Sequence, residues 1–196
     1  MTNIAERIER IPLTCFWEIT DACNLRCIHC EADSGIRDPS EMSTEEVFSV
    51  AEELAEAGCE SVILTGGEPL LRRDWPDLSR KIVELGMQVT VITNGLLVDE
   101  PMIEKLRDAR VTGVSVSLDG NQPVHDTIRV APGKNARSSY ELAIRAIELL
   151  AASPLKSAVI TQVHKHNFDD LDRMHDQVVE LGVAGDVDGD GDVDGD

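Results

Sequence analysis

Aromatic side chains are scarce: two tryptophans, one tyrosine and three phenylalanines among 196 residues. A hydrophobic core must therefore be built mostly from Leu, Ile, Val and Ala. Positive charge is short as well, with 18 Lys and Arg against 37 Asp and Glu, for a net charge of −19. Tight non-specific binding to nucleic acid or to an anionic membrane needs clustered Lys and Arg, so neither partner is indicated. An RNA or peptide substrate is not excluded by this balance. No run approaches the roughly 18 consecutive apolar residues that a spanning helix requires. The opening "MTNIAERIERIP" has charges throughout and no apolar signal core. The expectation is a cytoplasmic protein with no membrane partner. Its five cysteines then read as ligands or buried thiols rather than as a disulfide framework.

What is present is alternation. Strands are expected at 13–20, 61–65, 89–93, 113–118 and 158–163, with helical patterns between them. Ser43 and Glu46 form a capping box at the head of the first helix, and Ser138 and Glu141 form a second at the fourth. Asp99 is the expected N-cap of a helix over 99–109, and a fifth helix begins near Asn167. Glycines at 58, 86 and 182 stop three of the helices. Strict β/α alternation predicts an α/β fold with a parallel sheet and right-handed crossovers. Chemistry in such sheets gathers at the carboxyl ends of the strands. The segment "CNLRCIHC", "GGEP" (66–69), "NG" (94–95) and "DG" (119–120) all fall there.

The last twelve residues differ in kind. "GDVDGD" is written twice in succession, with no apolar face and strong self-repulsion, so disorder is the expectation. Asp186, Asp188 and Asp190 followed by Gly191 match the start of a calcium loop. The glutamate that closes such loops would fall at position 197, beyond the last residue. A solvated tail, or sequence foreign to the parent domain, is the preferred reading.

Cys23, Cys27 and Cys30 are spaced C-x-x-x-C-x-x-C. Three readings are open. A zinc site would need His29, Cys15 or Cys59 as a fourth ligand, and the second cysteine knuckle common in such sites is missing. A second reading makes the thiols structural; Cys15 and Cys59, each isolated, are read that way. Or three thiolates hold a four-iron cluster and leave one iron open.

On this spacing and on "TDACNLRC", residues 13–183 resemble the radical S-adenosylmethionine (SAM) superfamily, in the branch that often carries a C-terminal SPASM-type domain. "GGEP", "ITNG", "SVSLDG" and "HDTIR" strengthen the likeness. The resemblance implies a partial TIM-like parallel β/α barrel, of which five of the usual six units are legible. It implies a 4Fe-4S cluster on Cys23, Cys27 and Cys30, with SAM on the open iron. Gly66 and Gly67 would let backbone approach the methionine part, with Glu68 near its ammonium or ordering the loop. Ser117 would bond the ribose, Arg129 the carboxylate, and His29 would pack against adenine. Asn94 would reach the ligand or serve the turn with Gly95.

The reaction so implied is reductive cleavage of SAM to a 5′-deoxyadenosyl radical, followed by hydrogen abstraction from a peptide, tetrapyrrole or other small substrate. The electron would come from a donor such as flavodoxin or ferredoxin. The competing functions are a non-catalytic cluster- or SAM-binding module that needs a partner, and a zinc-binding interaction domain. The expected organisation is an N-terminal extension (1–12), an incomplete core (13–184) and the acidic tail (185–196).

Overall fold

Strand residues that alternate between β-branched and polar types, separated by capped helices, produce one parallel sheet with its core on a single face. A computed structural model describes residues 12–32, 34–133 and 136–183. The N-terminal extension other than Pro12, and the Asp/Gly tail with its calcium-like spacing, lie outside the described residues.

The elements are β1 (Thr14–Glu18), β2 (Arg26–Cys27), α1 (Thr44–Glu56), β3 (Ser61–Thr65), α2 (Trp75–Glu84), β4 (Gln88–Thr93), α3 (Glu100–Asp108), β5 (Gly113–Ser117), α4 (Gln122–Ile128), β6 (Arg129–Val130), α5 (Ser139–Ala151), β7 (Lys156–Ile160) and α6 (Leu171–Glu180). Short 3₁₀ turns occupy Pro69–Leu71 and Phe168–Asp170. The large sheet has the order β1-β3-β4-β5-β7, every neighbouring pair parallel. This is the α/β architecture of an open, partial barrel. The pair β2–β6 is separate and antiparallel.

Register decides which face is dry. Val62, Leu64, Val89, Val91, Val114 and Val116 fall on one side and are buried against helical residues such as Val47, Leu78, Ile82, Leu106, Ile147 and Leu150. Each fully buried side chain of this size contributes roughly 1.5–3 kcal/mol. On the other side Phe16 and Ile160 are open to solvent, and Ile63 and Ile92 are half-buried.

The capping box at α1 has both halves: Ser43 Oγ accepts from the Glu46 amide and Glu46 Oε2 accepts from the Ser43 amide. Asp99 caps α3 by accepting from the Met102 amide. The second expected box is half formed. Ser138 Oγ accepts from the Glu141 amide, but Glu141 accepts from Gln122, and the Ser138 hydroxyl donates to Asp126. Tertiary partners outcompete the reciprocal bond there.

The fifth strand also departs from expectation, running Lys156–Ile160 rather than 158–163. Pairing with β5 begins at Gly113↔Lys156 and ends at Ser117↔Ile160. Beyond it the Thr161 hydroxyl donates to the Leu118 carbonyl and the Gln162 amide to an Asp119 carboxylate oxygen, which turns the chain out of the sheet.

A buried arginine braces the start of the cysteine loop. Arg72 pairs through Nε with Asp74 at 2.7 Å, and donates to the Ile19 carbonyl at 2.8 Å and the Met42 carbonyl at 3.0 Å. Glu41 accepts from the Thr20 hydroxyl and the Asp21 amide, both at 2.8 Å. No helix among the described residues is long and apolar enough to cross a membrane.

Candidate functional site

The carboxyl end of β1 runs straight into the cysteine loop, which is closed on itself by backbone. The Gly35 amide donates to the Asp21 carbonyl at 2.8 Å and the Cys23 amide to the Gly35 carbonyl at 3.2 Å. Leu25, 1% exposed, anchors the loop from beneath. β2 then pairs with β6, setting Cys27 opposite Arg129. Cys23, Cys27 and Cys30 all line one cavity of about 290 Å³, together with Leu25, His29 and Ser34 of the same loop.

The rest of the lining comes from Arg129, beside Cys27, and from the strand ends and the loops after them: Thr65, Gly66, Gly67, Ile92, Thr93, Asn94, Ser117 and Gln162. Of the ten site residues expected from sequence, the cavity gathers nine. Glu68 is the exception. Its carboxylate is fully buried, accepting from the Thr93 hydroxyl and the Asn94 amide at 2.8 Å and from the Leu70 amide at 3.2 Å. Burial pushes it up to about 7 in spite of those three donors. In this arrangement Glu68 orders the loops after β3 and β4.

The two glycines have a reason that the sequence does not display. A Cβ on Gly66 would stand 2.4 Å from the Thr20 carbonyl oxygen, and one on Gly67 2.4 Å from that of Ala22. The Gly67 and Glu68 amides donate to those same carbonyls at 2.7 Å. Close approach therefore serves the cysteine loop, which is stitched to the turn after β3. Gly66 also holds a φ of +137°, natural only to glycine. Asn94 stands at the turn and also faces the cavity. Its Oδ1 accepts from the Leu96 amide and its Nδ2 donates to Asn24 Oδ1 at 2.7 Å.

Arg129 donates through Nε to Asp119 at 2.6 Å. Among the described residues no hydrogen bond uses either of its terminal nitrogens or the Ser117 hydroxyl. His29 lies with Nε2 3.8 Å from the same Asp119 oxygen and its ring 6.3 Å from that of His164. Burial and the Arg129 cation hold His29 below the ordinary histidine range. Burial pushes the Cys27 thiol up to about 11, opposed by Arg129, and raises Cys23 as well.

The donor set suits a cluster better than one ion. Among the described residues no three His, Cys, Asp or Glu side chains converge tightly enough to grip a single metal. Instead the three thiols stand around a cavity. Two already receive backbone amides, from Leu25 to Cys23 at 3.5 Å and from Ser34 to Cys30 at 3.4 Å, as cluster sulfurs do. Among the described residues, His29 Nδ1 and Ser34 Oγ are buried without hydrogen-bond partners in the same wall, leaving polar atoms for a guest. A metal would itself hold the thiols deprotonated. Cys59, buried, donates to the Leu13 and Ser61 carbonyls at the amino end of the sheet, and Cys15 is half-buried in β1. Neither lines the cavity.

The sequence assigns no role in the site to Asp119, Gln162 or Asn167, because the bonds that tie Asp119 to the other two span 43 and 48 residues. Asp119 is signalled only by "DG" at a strand's carboxyl end and by its place in "SLDG", two residues after Ser117.

Comparison with known proteins shows the family and the fold. The Radical SAM superfamily model matches residues 17–178. An AdoMet-dependent heme synthase of Methanosarcina barkeri is 36% identical over 175 residues, 88% of this chain and 49% of that protein. A mycofactocin maturase of Mycolicibacterium smegmatis is 34% identical over 87% of this chain and 43% of its own. The chain thus spans about half or less of the curated relatives it matches. SuiB of Streptococcus suis, in a crystal structure bound to S-adenosylmethionine, shares the fold with a TM-score of 0.74 at 18% identity, over 88% of this chain and 39% of that one. The chain belongs to the radical SAM superfamily, a family of enzymes that use a 4Fe-4S cluster and S-adenosylmethionine.

Proposed function

We propose that this chain is the cluster- and SAM-binding core of a radical SAM enzyme that acts on a tetrapyrrole or a peptide. One observation carries the reading. Three thiols, a Gly-Gly turn, a serine and an arginine converge on one cavity at the carboxyl ends of the strands.

Cys23, Cys27 and Cys30 would hold three irons of the cluster and leave the fourth for SAM. When bound, the pair supplies one-electron cleavage of SAM to methionine and a 5′-deoxyadenosyl radical that takes hydrogen from the substrate. The chain's own part is to bind and orient. Arg129 offers its two terminal nitrogens as a planar fork for the methionine carboxylate. Ser117 presents its hydroxyl to the ribose. His29 packs against the adenine, and Leu25 and Ile92 keep that wall dry. Tetrapyrrole and peptide chemistry are suggested by the relatives, which include heme, Fe-coproporphyrin III and mycofactocin enzymes. The electron would come from a flavodoxin- or ferredoxin-type donor in the cytoplasm.

Anaerobic reconstitution with iron and sulfide tests the reading, followed by SAM and a chemical reductant. The expected result is about four irons per chain and formation of 5′-deoxyadenosine. Uptake of zinc with no four-iron spectrum would overturn it. A cluster without 5′-deoxyadenosine would reduce the chain to a binding module.

A further inference from the structure

Two of the residues that face the cavity, Arg129 and Gln162, are tied to one carboxylate behind it, and a third, His29, stands near it. Asp119 is fully buried and does not itself line the cavity. Its Oδ2 accepts from Arg129 Nε at 2.6 Å, and its Oδ1 from the Gln162 amide at 3.0 Å. His29 Nε2 stands 3.8 Å from Oδ2. These partners come from three separate segments: β6, the loop after β7 and the cysteine loop.

The backbone of Asp119 is held just as firmly. Its amide donates to His125 Nδ1 at 3.2 Å, and its carbonyl accepts from Asn167 Nδ2 at 3.0 Å. Asn167 is also fully buried, and it donates to the Gln162 carbonyl at 2.9 Å while accepting from the His164 amide at 2.8 Å. The loop after β7 is thereby locked onto the Asp119 turn, and Gln162 is set at the rim of the cavity.

We propose that Asp119 is a positioning residue for SAM: by engaging Nε of Arg129 it turns the two terminal nitrogens of that guanidinium toward the cavity before any ligand arrives. A buried carboxylate is costly unless paired, so the pair forms in the ligand-free protein and fixes the arginine's side-chain conformation. An arginine held in its bound conformation loses less entropy on binding. The proposal rests on the assignment of this cavity to SAM.

The test uses the full chain, reconstituted anaerobically, with SAM binding followed by equilibrium dialysis and by the change SAM causes in the spin-resonance spectrum of the reduced cluster. Asp119→Asn keeps the size and an acceptor for the Gln162 amide but removes the charge. Its expected effect is SAM binding weaker by about tenfold to a hundredfold, with iron and sulfide content unchanged. In an Arg129→Ala background the same change should alter SAM affinity less than about twofold, because Asp119 acts through the arginine.

Equal binding by Asp119→Asn and the wild-type protein overturns the proposal. So does a loss in the Arg129→Ala background as large as in the wild type, which would mark Asp119 as a general prop. Should Asp119→Asn lose the cluster, Arg129→Lys decides. A lysine keeps the charge but cannot both pair with Asp119 and present a fork, so SAM binding should fall about tenfold. Binding as tight as wild type would refute the proposal. A wild-type chain that carries its cluster but binds no SAM sinks the cavity assignment itself.

Discussion

Cys27 and Arg129 are cross-strand partners in the antiparallel pair β2–β6. The middle thiol of the cysteine motif and the arginine proposed to take the SAM carboxylate are therefore fixed to one short ribbon of backbone. The Ile28 amide extends that ribbon by donating to the Ile128 carbonyl at 2.9 Å. The proposed cluster ligand and the proposed SAM ligand are thus held by the same backbone hydrogen bonds.

The cysteine assignment leads to the first prediction. Cys23→Ala, Cys27→Ala and Cys30→Ala should each abolish the four-iron absorption after anaerobic reconstitution. Cys59→Ala, at the far end of the sheet, should leave it intact. Full iron content in Cys27→Ala would refute the ligand set.

Gly66 and Gly67 should not tolerate a methyl group, because the obstacle at each is a backbone carbonyl that cannot swing aside. Gly67→Ala should lose about 1–3 kcal/mol in urea unfolding, and Gly66→Ala more, since it adds left-handed backbone strain to the overlap. Cluster uptake should fall with both, because the displaced partner is the cysteine loop. An unchanged unfolding midpoint would show that the close approach is relieved cheaply.

Arg72 carries a structural expectation. Arg72→Met leaves Asp74 without its cation and two carbonyls, of Ile19 and Met42, without a donor. Arg72 is buried and Asp74 half-buried, so the loss should approach about 3 kcal/mol, the lower end for a buried pair, read as a lower melting temperature of the apoprotein. A loss below about 1 kcal/mol would place the pair among exposed bridges of little consequence.

His125 should make the fold sensitive to acid. Burial first, then the Arg129 cation, lower it to about 4. The unfolded chain takes up this proton near the ordinary value of about 6.5, while the folded chain resists until far lower pH. Its contribution is therefore complete above the unfolded value and is lost as pH falls toward 4. Between pH 7.5 and 5, wild type should lose about 2 kcal/mol more than His125→Gln, measured by urea unfolding at each pH. Glu68 works in the opposite sense, since a carboxylate raised to about 7 stabilises the fold below 4.5 and ceases to as pH climbs through 7. The variant comparison isolates the histidine; parallel curves for the two proteins would refute the assignment.

Much of this molecule was legible in advance because it is local. The first capping box joins residues three apart, helix ends follow glycines, and strand alternation marks the dry face. The cysteine spacing lies within eight residues. Ser138 and Glu141 show the limit of such reading, since competing partners in α4 undid half of that box.

The sequence by itself determined which residues stand at the carboxyl ends of the strands, because motif spacing and β/α alternation bring those ends together whatever the details of packing. Only the tertiary structure decided how they are held around one cavity. Asp119 meets Arg129 ten positions on, Gln162 forty-three on and Asn167 forty-eight on. Gly66 and Gly67 avoid the carbonyls of Thr20 and Ala22, far back along the chain, and just beyond the end of β7 Asp119 captures the Gln162 amide. Such contacts depend on register and burial across the whole sheet, which no short window of sequence encodes.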